Sequence, residues 1–183
     1  LNHLAAVEYQ DDTSLRARIK SYELACGMQL AYPDILDFAP ETEETKSLYG
    51  LDNPVTRPFG VQCLVARRLV EQGVSFVQLY HGAGSKWDSH KDIEKNHSKL
   101  CRAVDKPIAG LLADLKASGL LDETLVIWGG EFGRTVYCQG HLTATDYGRD
   151  HHGRCFTVWM AGGGMKPGVT LGETDDYGYN IVR

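Results

Sequence analysis

Apolar residues at Leu15, Ile19, Tyr22, Cys26 and Leu30 recur every three to four positions, the spacing that lines one helix face. A helix over residues 13–32 follows, with Thr13 or Ser14 to cap its start and Pro33 just beyond its end. Residues 33–60 lose this period. They are acidic, carry Pro33, Pro40, Pro54 and Pro58, and read as a long surface connection with one helical turn near Glu41–Leu48. Val61, Leu64, Val65 and Leu69 mark a second helix closed by Gly73. Val74–Tyr80 is dense in β-branched and aromatic residues and reads as a buried strand. Leu100, Val104, Ile108, Leu111, Leu112 and Leu115 form another helical stripe ending at Gly119, in which Pro107 either kinks the helix or starts its main segment. Leu125–Trp128 and Phe156–Met160 read as two more buried strands. This order predicts an α/β fold, a mostly parallel sheet flanked by helices. Val74–Tyr80 and Leu125–Trp128 would be parallel, joined by a right-handed helical crossover.

Composition narrows the function classes. With 43% hydrophobic and 23% charged residues in 183, the chain can bury a core and is not of the disordered type. A net charge of −5 argues against a general nucleic-acid binder. No apolar run approaches the roughly 20 residues of a membrane span. The chain starts at Leu1 without Met or a signal-peptide pattern and stops at Arg183 without a helix stop, so it is expected to be a piece of a longer protein, incomplete at both ends. Its five cysteines are odd in number and lack a Cys-x-x-Cys pair. They read as buried small hydrophobes rather than as a zinc knuckle, a thioredoxin motif or a disulfide scaffold.

In an open α/β sheet, sites form beyond the carboxyl ends of the strands. Around the expected strands lie His81 with Trp87-Asp88-Ser89-His90, then Gly129-Gly130-Glu131-Phe132-Gly133-Arg134-Thr135, then Gly148-Arg149-Asp150-His151-His152-Gly153. Six of the seven histidines fall between His81 and His152. Imidazole with carboxylate suits zinc, manganese or iron, whereas carboxylate alone suits magnesium or calcium. Each residue also has an ordinary reading. His3, His97 and His141 suit solvated or hydrogen-bonded roles, His81 a turn, Glu131 a helix cap or an ion pair with Arg134, and Asp150 a pair with Arg149 or Arg154. The convergence of three loops rich in metal-type side chains favours a metal site.

The runs Trp-Asp-x-His, Gly-Glu-Phe-Gly-Arg-Thr, Gly-Arg-Asp-His and Met-Ala-Gly-Gly-Gly resemble the sulfatase-like family catalogued as domain of unknown function 1501. Ser21–Ala25, Leu64–Glu71, Phe76–Tyr80 and Thr174–Tyr179 fit the same family, so the likeness covers most of the chain. The family is similar to the alkaline phosphatase superfamily of phosphatases, sulfatases and phosphoglycerate mutases. The resemblance implies an alkaline phosphatase/sulfatase-like fold, with residues 1–183 a partial domain, and a bacterial protein exported to the periplasm or beyond. It also implies a divalent metal, zinc first, with manganese, calcium or magnesium as alternatives. Asp88, His90, Glu131 and His151 would hold that metal, and Asp150 or His152 would orient a ligand imidazole. Arg134 and Arg149 would hold the anionic oxygens of a substrate.

Departures from that superfamily matter. Its Asp-His pair is Glu131-Phe132 here, so one imidazole is replaced, and Val136 stands where the family commonly has Pro. Its nucleophile lies in an amino-terminal segment with no counterpart in this chain. Ser89 and Thr135 are the hydroxyls nearest the expected ligands. The expectation is therefore a metal-dependent hydrolase of sulfate or phosphate esters, sulfated glycans included, that is inactive as this piece alone. The alternatives are a secreted module that binds a metal, glycan or anion without catalysis, and an α/β domain whose loops bind nothing.

Overall fold

A computed structural model describes residues 12–138 and 140–182. The chain divides into two compact units, Leu1–Thr42 and Glu43–Arg183. In the first, helix α1 spans Thr13–Leu36. Its cap is Asp12, whose side chain accepts from the backbone N–H of Leu15 at 2.9 Å, rather than Thr13 or Ser14. Pro33 lies inside the helix, not beyond it. It removes one backbone donor, yet its own carbonyl accepts from Asp37 N–H at 3.1 Å and the helix runs one more turn. The expected apolar stripe is half-buried at Leu15 and Ile19 and exposed at Tyr22 and Cys26.

The second unit is built on a helix pair. Helix α2 (Glu43–Leu48) leads to α3 (Arg57–Glu71), which packs on α4 (Ile93–Ala117). Phe59, Cys63, Leu64, Ala66, Val104, Leu111 and Leu115 form the core between them. The connection expected over residues 33–60 is thus partly helical, and it turns inward at Tyr49, which is fully buried. The Tyr49 hydroxyl donates to Asp114 Oδ2 at 2.8 Å, and the same oxygen faces Arg67 Nε at 3.0 Å. Burial, followed by the bond to Asp114, pushes the Tyr49 phenol far above its usual range, so it stays a donor. Two glycines admit the Leu48–Tyr49 backbone between the helices. A Cβ on Gly110 would lie 2.5 Å from the Leu48 carbonyl oxygen, and one on Gly60 would collide with the Tyr49 carbonyl. Pro107 sits buried within α4, where its missing N–H leaves one helical carbonyl without its usual donor.

The expected mostly parallel sheet is not there. Strand β1 (Leu125–Trp128) pairs antiparallel with β4 (Trp159–Gly162), in register Leu125↔Gly162 to Trp128↔Trp159. A second ribbon joins β2 (Gly133–Arg134) to β3 (His151–His152), also antiparallel. Among the described residues these short ribbons are the only sheets. Val74–Tyr80 has no ladder partner, and its Phe76 and Tyr80 are exposed. A parallel return needs a crossover, usually helical, and no helix lies among the described residues between β1 and β4. The chain instead passes through the β2–β3 ribbon before β4 returns antiparallel to β1, and both strands pack on a short 3-10 turn at Leu120–Asp122. The cysteine expectation also needs correction. Cys63 and Cys155 are buried, but Cys26 and Cys101 are exposed. No described helix is long and apolar enough to cross a membrane.

The glycine contacts give a direct check on the helix pair. Gly110→Ala should lower the free energy of unfolding by about 1–3 kcal/mol, the usual cost of overpacking a filled core. A urea midpoint equal to that of the wild type would mean that the Leu48 backbone does not press on α4.

Candidate metal centre

The first two site residues are placed by an aromatic anchor. Trp87 donates its indole N–H toward His81, 3.0 Å from Nδ1 and 3.2 Å from the backbone oxygen. Its own carbonyl lies 3.1 Å from His97 Nε2. The Trp87 ring also meets the rings of His81, His97 and Trp128 at centroid distances of 5.6, 5.5 and 6.4 Å. Burial, and then the nearby Lys86 charge, lower the pKa of His81, which keeps the ring neutral and able to accept. Asp88 follows directly in the chain.

The other loops are sewn to this one by backbone. Arg149 N–H donates to the Ser89 carbonyl at 3.0 Å, and Ile93 N–H to the Tyr147 carbonyl at 3.0 Å. Asp92, the only described non-glycine residue with positive φ, turns the chain into α4 and donates its N–H to Asp146 Oδ1 at 2.8 Å. Gly148 lies directly on the His90 backbone, where any Cβ would clash. Gly133 does the same against the Cys155 carbonyl. Pairing of β2 with β3 then sets Arg134 opposite His151.

These constraints gather Asp88, His90 and His151. One ligand atom from each lies within 4.8 Å of the other two. Asp88 Oδ1 is 2.9 Å from His90 Nε2 and 2.9 Å from His151 Nε2. The same oxygen accepts from Arg134 Nη1, while Arg134 Nη2 reaches Glu131 Oε1 at 2.9 Å. The His151 contact, with the Arg134 and His90 charges behind it, draws the Asp88 carboxyl down to about 2 from an ordinary 3.8. The two imidazoles lie 5.2 Å apart by ring centroid. Phe132 meets the His151 ring edge-on at 5.4 Å. Phe132 is thus an apolar buttress for a ligand candidate.

A family model described as a protein of unknown function, DUF1501, matches residues 1–183. The chain belongs to the DUF1501 family. No curated protein and no solved structure matches it.

Other residues singled out in this DUF1501 chain have other partners. Glu131 is outside the three-residue group and holds Arg134, the ion pair its sequence spacing had left open. Arg149 donates to the Val136 carbonyl and lies over the Tyr147 ring. Asp150 Oδ1 accepts from His151 N–H at 2.7 Å, so Asp150 fixes the His151 backbone rather than its ring. His152 points Nε2 at the Tyr179 carbonyl, 2.9 Å away. Ser89 and Thr135 are buried, and Thr135 Oγ1 donates to Tyr137 O and accepts from Asp150 N–H. His141 is exposed, and His3 lies outside the described residues. Sequence reasoning missed the grip of Arg134 on Asp88 and the Trp87–His81 anchor. The adjacency of Trp87 to Asp88 was the one available signal for the anchor.

A carboxyl held low in the folded state stabilises it above the unfolded value and loses that contribution as pH falls through the folded value. The stability of wild type should therefore fall more steeply than that of Asp88→Asn from about pH 4 to about pH 2. Urea midpoints across that range measure it, and parallel curves would refute the role given to Asp88.

Proposed function

We propose that this DUF1501 chain contributes a divalent-metal site, zinc first, to a hydrolase acting on phosphate or sulfate esters, sulfated glycans among them. The observation that carries the reading is the convergence of Asp88, His90 and His151 within 4.8 Å beside the guanidinium of Arg134. Two imidazoles and a carboxylate form a donor set that zinc takes in open, catalytic sites. Asp88 Oδ1 lies 2.9 Å from each imidazole, near the roughly 3.3 Å that separates ligands around a tetrahedral zinc. The buried Nδ1 of His90 has no hydrogen-bond partner, so that imidazole is not committed through its second nitrogen. A bound divalent cation would polarise an ester oxygen and lower the pKa of a water.

The chain's own residues supply the rest. Asp88, His90 and His151 hold the cation. Phe132 and the β2–β3 pairing fix the His151 ring and backbone. Arg134 is the guanidinium nearest these ligands and can pair with an anionic oxygen. A second reading, a module that binds metal or anion without catalysis, draws on the burial of Ser89 and the double hydrogen bonding of Thr135. Neither hydroxyl sits beside a base as nucleophilic catalysis requires.

Zinc binding to purified wild type and His151→Ala, read by metal analysis and titration, tests the site. The variant should lose at least the roughly 100-fold in affinity that removing a mere outer partner can cost, with an unchanged circular dichroism spectrum. Equal zinc binding by both would refute the ligand set. Hydrolysis of p-nitrophenyl phosphate and sulfate then separates the two readings.

A further inference from the structure

Arg134 is held between two carboxylates, with Nη1 on Asp88 Oδ1 and Nη2 on Glu131 Oε1 at 2.9 Å. The Asp88 oxygen it grips is the one that both histidines also face at 2.9 Å. As ligands, the two imidazoles turn from that oxygen to the cation, which leaves a guanidinium and a cation, two like charges, on one carboxylate. Guanidinium keeps its charge at any working pH, so it does not leave by deprotonation. A cation taken up by Asp88, His90 and His151 therefore competes with Nη1 for the Asp88 charge. The second anchor differs in character. The Glu131 side chain is 59% exposed, and it contacts Arg134 from a position outside the ligand group.

Resting on the metal reading above, we propose that Arg134 is a built-in competitor for the metal and becomes an anion-binding arm when the metal displaces it. Without metal, it neutralises Asp88. Once a cation takes over Asp88, Glu131 retains Nη2 and Nη1 is released toward an anionic oxygen. The charge count agrees. Two carboxylates and one guanidinium leave a single negative charge, and a divalent cation turns that into a single positive one, which an anion neutralises. The backbone needs no rearrangement, because Arg134 is fixed opposite His151 by the β2–β3 pairing.

Two titrations on the 183-residue chain test this. Zinc is titrated into wild type, Arg134→Gln and Arg134→Met, with circular dichroism to verify folding. Inorganic phosphate is titrated into each with and without zinc. Both variants should bind zinc about tenfold tighter than wild type, the equivalent of one charge-assisted hydrogen bond no longer competing. Phosphate should bind the wild type only when zinc is present, and should bind zinc-loaded Arg134→Gln more weakly. Zinc bound by wild type but no tighter by either variant would overturn the competitor role and leave the metal site standing. Phosphate binding by wild type irrespective of zinc would overturn the released arm. Zinc bound by none of the three would overturn the metal reading and this inference with it, whereas zinc bound by the variants alone would support the inference in its strongest form.

Discussion

One oxygen atom, Asp88 Oδ1, receives His90, His151 and Arg134 together. These partners come from the loop before α4 and from both strands of the β2–β3 ribbon, so a single carboxylate ties together segments up to 63 residues apart. Such an arrangement is favourable only while the carboxylate is ionised, which its pKa of about 2 ensures. It also gathers a guanidinium and two imidazoles around a group whose side chain is 24% exposed. Solvent screens the individual pairs, and they outweigh chain entropy only because the backbone already holds them close.

That backbone closeness is a property of glycine. Gly148 on His90 and Gly133 on the Cys155 carbonyl leave no room for a side chain. Each lies within three residues of a member of the site, Gly133 next to Arg134 and Gly148 three before His151. The motifs around these residues therefore combine two requirements. Charged or imidazole side chains carry the chemistry, and bare backbone lets the loops touch. Trp87 adds a third, since its contacts with His81, His97 and Trp128 hold the Asp88 loop against α4 and β1.

The helices and the chemical residues were legible in the sequence because each is a local property. A period of three to four placed α3 and α4, and the side-chain types of Asp88, His90 and His151 marked them as donors that could gather. Strand pairing is not local. Val74–Tyr80 has the composition of a strand but no partner among the described residues, and β propensity becomes a strand only against a neighbour. The antiparallel return of β4 onto β1 depended on what lies between them, where the described residues form no helix to cross over. The role of Glu131 was ambiguous for the same reason. Its sequence allowed a ligand or a partner of Arg134, and only the placement of Arg134 beside Asp88 decided the contact observed here.

The site and the core meet at α4 but are stabilised differently. Between α3 and α4, apolar burial and the Tyr49–Asp114–Arg67 contacts hold the core together. At the start of α4, the left-handed turn at Asp92 and its bond to Asp146 hand that rigidity to loops with almost no apolar filling. A cation arriving at Asp88 would then change the charge and the partners of Arg134, the member of the cluster that has a second carboxylate to retire to. The helices would stay as they are. The loop before α4 and the β2–β3 ribbon thus hold Asp88, His90 and His151 by backbone contacts, while Arg134 has two carboxylates to pair with.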